Sequence, residues 1–190
     1  MTDPLDLSGA NPWQTRSSKL VYDNGRLRLY EDEVIQPDGN LSGRYAYLRI
    51  PWPVVGIVPI ADDGQVYLVR QWRYPWQRNS WEIPAGKGEP DEEPMVSAQR
   101  ELAEETGLQA VSWEPLGSVY ASASINAHYY LYLARGLSRA ANGAQRDGAE
   151  QDLISASVPL ASAVAAAMDG RIVHAFTVVG LLRAARRLGV

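Results

Sequence analysis

The octapeptide RELAEETG, residues 100–107, places Glu101, Glu104 and Glu105 at helical positions i, i+3 and i+4. On an α-helix these side chains share one face, with Glu101 and Glu105 about 6 Å apart along the axis. Like charges at that spacing destabilise a helix by roughly 0.2–0.5 kcal/mol a pair, and by more when partly buried. A hard divalent cation that prefers oxygen, magnesium or manganese, turns the repulsion into ligation. The crowding is local: residues 87–106 hold seven acidic and two basic side chains, a balance of −5, while the other 170 hold 16 basic and 15 acidic ones. A concentrated acidic patch repels polyanions, which argues against nucleic acid as a partner.

The rest of the chain must position these carboxylates. Met95, Ala98 and Leu102 fall at core spacing on the opposite face, predicting a helix over 94–106 with Pro94 in its first turn and Gly107 as its stop. Before it, VVGIVPI and QVYLVRQW around the turn ADDG read as a buried hairpin, WEIP as a short strand and AGKGEPDEEP as a loop. After it, strands are expected near 111–120, 128–134 and 153–158, with helices over about 160–168 and 174–188. Between them, residues 138–151 are small and polar and make a mobile loop candidate. Residues 1–17 read as a loose lead-in, and residues 18–50 as an antiparallel meander with a two-residue hairpin turn at Asn24-Gly25. The organisation expected is a lead-in and meander over 1–53 and a larger domain over 54–190.

Composition sets further bounds. A chain of 190 residues, 46% hydrophobic and 21% charged, supports a sizeable core. It has no cysteine, so disulfides, thiolate ligation and cysteine nucleophiles are excluded, and a reducing cytoplasm is the expected home. No basic start followed by an apolar run opens the chain, and no apolar run is long enough to cross a bilayer, so a soluble protein without a membrane partner is expected.

The spacing from Gly86 onward is more specific. Gly86, Glu92, Arg100, Glu101, Leu102, Glu104, Glu105, Gly107 and Leu108 resemble the Nudix hydrolase signature G-x5-E-x7-R-E-U-x-E-E-x-G-U, U being apolar, at all nine defined positions over 23 residues. The resemblance implies an α+β fold, a mixed-sheet α/β/α sandwich with the N-terminal meander appended. It also implies Mg2+, or Mn2+, held by Glu101, Glu104, Glu105 and the backbone carbonyl of Ala85. Arg100 and Glu92 are then expected to lock loop to helix through a salt bridge, and Gly86 and Gly107 to serve backbone geometry. The implied catalytic set is Glu104, Glu105 and a general base on a later loop, with Glu150 and Asp152 as candidates. The two histidines, His128 and His174, read as structural or exposed.

Residues 69–75, VRQWRYP, and the stretch WEIPAGKGEP resemble more narrowly the ADP-ribose and nucleoside diphosphate sugar pyrophosphatases. In that subfamily the meander takes part in a homodimer, Arg73 contacts the diphosphate or sugar, and Glu82 sits beside the metal site. A surface ion pair is the competing reading for Arg73. Trp13, Tyr30, Trp52 and Trp76 lie where they could stack on a base, against plain packing as the alternative. Where ADP-ribose hydrolases carry a proline some fifteen residues past the box, this chain has SASINAH over 122–128, which weakens ADP-ribose as the specific substrate. Two other functions stay open: a nucleotide sensor without hydrolysis, and a nucleoside triphosphate clean-up pyrophosphatase.

Overall fold

The computed structural model describes residues 5, 7–146 and 148–190, leaving aside the side chains of residues 42, 43 and 149. The strands are β1 (Gln14–Asp23), β2 (Arg28–Ile35), β3 (Leu41–Arg49), β4 (Val54–Ile60), β5 (Gln65–Arg73), β6 (Arg78–Glu82), β7 (Ala85–Lys87), β8 (Leu108–Ser122), β9 (Ile125–Arg139) and β10 (Ile154–Pro159). The helices are α1 (Pro94–Thr106), α2 (Leu160–Met168) and α3 (Ala175–Leu188). Two compact units result, one comprising the chain up to Pro51 with Ser122–Asn126, the other Trp52–Ala121 with Ala127–Val190.

In the first unit β1 pairs with β2 and β2 with β3, all antiparallel, and Leu48 and Arg49 of β3 pair in parallel with Ile125 and Asn126. The expected lead-in over 1–17 is shorter than anticipated, since β1 already begins at Gln14; residues 1–4 and 6 lie outside the described residues. The Asn24-Gly25 turn is also different. Asp23 pairs with Arg28, so the loop has four residues, because the Asn24 carboxamide accepts the N–H groups of both Arg26 (2.9 Å) and Leu27 (2.9 Å) and stabilises a wider turn.

The second unit is built on β4. Val54–Ile60 runs parallel to β9, takes β7 antiparallel at its first residues and meets β5 at Ile60 and Val66. Beyond β5 lies β10, while β6 pairs with the opposite edge of β5; both are antiparallel to it, and β8 pairs with β9. Strand alternation then sorts the core into two layers. Val55, Ile57, Tyr132 and Ala134 face α1 through Ala98 and Leu102, whereas Val58, Ile60, Leu131 and Leu133 pack against α2 and α3 through Leu160, Ala163, Leu181 and Ala184. A mixed sheet with helices on both faces is thus an α+β sandwich. No helix among the described residues is long and apolar enough to cross a membrane.

Two expectations about loops change. AGKGEPDEEP is not all loop, because Ala85–Lys87 adds β7 to β4 and brings the backbone of Gly86 under α1. The polar stretch over 138–151 is tied down rather than loose in its described part. β9 continues to Arg139, Ala140 N–H donates to the Gly107 carbonyl (2.8 Å) and Gln145 N–H to the Glu104 carbonyl (2.9 Å). Composition alone does not see these bonds, which run between backbone groups.

Candidate active site

Glu101 and Glu105 stand one turn apart on α1 and are 6% and 4% exposed. Their burial follows from the helix: Leu102 and Ala98 are wholly buried on the sheet, and the neighbouring stripe is drawn in against β7. The two carboxylates meet consecutive residues of that strand. Glu105 Oε2 accepts the Ala85 N–H at 3.0 Å, and the Glu101 carboxylate fills the space where a Cβ on Gly86 would stand. Gly107 closes the helix in the left-handed region (φ 70°) and donates its N–H to Ala103.

Burial dominates the electrostatics. It pushes the Glu101 carboxyl up to about 7, even though Arg100 pulls it back, and the nearby charges of Glu104 and Glu150 add to the rise. Burial also raises Glu105 well above the carboxylate range; the Ala85 N–H opposes this, while Glu101 and Glu150 reinforce it. Glu150, in the turn Gly148–Glu150, therefore acts electrostatically on both helix carboxylates and on Arg73. Asp152, the other candidate base, has its Oδ2 engaged by the Trp72 N–H at 3.0 Å.

One guanidinium ties the acidic loop together. Arg100 Nη1 donates to Glu101 Oε1 (2.9 Å) and Glu104 Oε2 (3.0 Å), while its Nη2 donates to Glu92 Oε2 (3.2 Å) and the Lys87 carbonyl (3.1 Å). Glu92 Oε2 also accepts the Glu89 N–H and the Ser97 hydroxyl, and the Glu89 N–H together with Arg100 holds its carboxyl down at about 2. Arg100 and Glu92 thus join loop and helix. Among the described residues no group of three or more Asp, Glu or His side chains is gathered to hold an ion, and Arg100 bonds to both Glu101 and Glu104. The donor set nevertheless fits a hard cation. It consists of carboxylate oxygens, two of them buried with raised pKa, beside a strand whose glycine leaves room for them.

Arg73 and Glu82 come together in a different way. The Arg73 fork grips the Glu82 carboxylate through Nε (2.9 Å) and Nη2 (2.6 Å), and His174 Nδ1 approaches the same Oε2 at 2.7 Å. His174, read from the sequence as structural or exposed, is largely buried and its bond to Glu82 was not foreseen. It stands at the N-terminus of α3, contacts the Thr177 hydroxyl and packs edge-on against Trp76 and Phe176, and only its position beside a strand remote in sequence reveals the role. Of the other aromatic candidates, Tyr30 stacks on Tyr47, Trp13 packs edge-on against Tyr45, and Trp52 lies under the Lys87 ammonium.

Glu82 is 1% exposed. Burial opposes its ionisation, yet the hydrogen bonds from Arg73 and His174 outweigh it and hold the carboxyl at about 2, below its ordinary 4.5. A depressed folded pKa stabilises the fold above the unfolded value and is lost as pH falls through the folded one. Relative to Glu82→Gln, the native protein is therefore expected to lose on the order of 3 kcal/mol of stability between about pH 5 and pH 2. Urea melts of both proteins across that window check this. A constant difference would mean that the ion pair contributes nothing that titrates.

Comparison with known proteins agrees with the geometry. The NUDIX domain model matches residues 51–176. An ADP-ribose pyrophosphatase of Mycobacterium tuberculosis is 31% identical over 175 residues, which is 90% of this chain and 82% of the relative. A methanol dehydrogenase activator of Bacillus methanolicus is 35% identical over 135 residues, 70% of this chain and 72% of the relative. In structure, an ADP compounds hydrolase superposes with a TM-score of 0.78 at 21% identity, covering 96% of this chain and 97% of its own, which shows a shared fold. With the signature helix, its glycine-backed strand and the family match over the same residues, this chain belongs to the Nudix hydrolases.

Proposed function

We propose that the chain hydrolyses the diphosphate linkage of a nucleoside diphosphate sugar of the ADP-ribose type, giving a nucleoside monophosphate and a sugar phosphate. The observation that carries this reading is the pair of buried carboxylates, Glu101 and Glu105, set against Ala85 and Gly86 of β7. The 31% identity to an ADP-ribose pyrophosphatase over nine-tenths of the chain supports the substrate class.

Glu101, Glu104, Glu105 and the Ala85 carbonyl would hold Mg2+ or Mn2+. Such an ion, when bound, offsets the charge of the diphosphate oxygens and lowers the pKa of water. The chain's own groups do the rest. Glu150, whose charge is felt at Glu101, Glu105 and Arg73, would accept the proton of the attacking water. Water oxygen bonds to one phosphorus as the bridging P–O bond breaks, and the departing phosphate keeps the bridging oxygen. Arg73 is only partly covered, with 36% of its side chain exposed, and its bonds to Glu82 orient a cation for the diphosphate or sugar. Glu92 and Arg100 keep loop and helix in register.

The test is product analysis with magnesium on ADP-ribose, other nucleoside diphosphate sugars, dinucleotides and nucleoside triphosphates. Release of a mononucleotide and a sugar phosphate from a nucleoside diphosphate sugar is expected. Cleavage confined to triphosphates would give the clean-up reading instead, and calorimetric binding without product would make the chain a sensor.

A further inference from the structure

The C-terminal carbonyls of a helix have no partner inside it and must find donors elsewhere. At the end of α1 the carbonyls of Glu104 and Glu105 are among them. The Gln145 N–H donates to the first at 2.9 Å. The second takes two bonds from one side chain, Arg146, through Nε (3.0 Å) and Nη2 (2.7 Å). The same guanidinium donates through Nη1 to the Leu153 carbonyl (2.7 Å) and through Nη2 to the Ser155 hydroxyl (3.4 Å). Leu153 is buried, and its own N–H donates to the Glu150 carbonyl at 2.9 Å. One planar cation therefore joins three things: the backbone of Glu105, the foot of the segment that carries Glu150, and the start of β10. A positive charge at a helix C-terminus is favoured by the helix dipole, and bonds from an ionised donor are the stronger kind.

We propose that Arg146 is a positioning residue for the reaction, holding the Glu150 segment at a fixed distance from the carboxylates of α1. The proposal rests on the reading of Glu150 as the group that takes the water's proton. Arg146 touches backbone carbonyls and one hydroxyl, not the reacting atoms, so it acts through Glu150. Its fork serves acceptors in several directions at once, which a lysine ammonium on a flexible stem cannot reproduce.

The experiment is a double-mutant cycle on the full chain, with kcat and KM measured for Arg146→Ala, Arg146→Lys, Glu150→Gln and the pair Arg146→Ala with Glu150→Gln. Arg146→Ala is expected to lower kcat about a hundredfold, as a displaced catalytic group does, with KM little changed. Arg146→Lys should not restore it. In the Glu150→Gln background, which is itself slowed about a hundredfold or more, Arg146→Ala should cost less than about twofold further. Should Arg146→Ala fold poorly, Arg146→Gln keeps one donor for the Glu105 carbonyl, holds the helix end and releases Leu153, and the same kcat loss is expected. A wild-type kcat in Arg146→Ala, or losses that multiply in the pair, would overturn the role of Arg146 while leaving Glu150 in place. A wild-type rate in Glu150→Gln would overturn the assignment of the base and this proposal with it.

Discussion

Glu105→Gln is expected to lose turnover by about a thousandfold or more while folding as well as the native chain. A catalytic cation stabilises developing charge by several kcal/mol, and each ~1.4 kcal/mol is tenfold in rate. Removing a buried carboxylate from the set that would hold the ion forfeits much of this. Folding responds differently. The Glu105 carboxyl is 4% exposed and burial works against its charge, whereas a glutamine oxygen can still accept the Ala85 N–H in the same volume. In the presence of a chelator the variant should therefore melt at the native temperature or above it. Adding magnesium should raise the melting temperature of the native protein but not of the variant. Retained turnover, or a melt that collapses in chelator, would remove Glu105 from the ligand set.

Gly86→Ala is the second large effect, and it strikes the same carboxylate pair from the strand side. A methyl group here would overlap the Glu101 carboxylate, which would have to leave its contacts with β7 and Arg100 to make room. β7 is held to β4 through Val54, Val55 and Gly56, while Glu101 is held by Arg100 and by the burial of α1. Overpacking of this kind costs about 1–3 kcal/mol. The larger consequence is for catalysis, because an ångström of displacement in a reacting constellation can cost about a hundredfold in rate. Thermal melts and kcat/KM together check both parts. A variant with native kcat would show that Glu101 does not have to lie against this strand.

Much of this architecture was readable in the chain. The helix over 94–106 coincides with α1 because three independent signals agree on it: the apolar spacing of Met95, Ala98 and Leu102, a proline at its start and a glycine at its end. Likewise the spacing of Glu101 and Glu105 was enough to place them on one face, though not to show that this face lies against β7. Pairing across long separations was not readable. The continuous apolar run of β4 told that the strand is buried, but not that β9 lies parallel to it or that Ala85–Lys87 pairs on its other side. Arg146 left no trace either, since its acceptors are mostly backbone carbonyls, which every residue type carries. His174 was hidden for a related reason: its partner Glu82 belongs to another element, and only the fold brings the start of α3 to the end of β6.

The span of Arg100 across Glu101, Glu104 and Glu92 bears on biosynthesis. A nascent chain that had to bury these acids unaided would need an ion at hand before α1 could dock on the sheet. This one brings its own counter-ion, encoded next to the acids it neutralises. Folding off the ribosome need not wait for an ion, because the guanidinium already balances part of this charge.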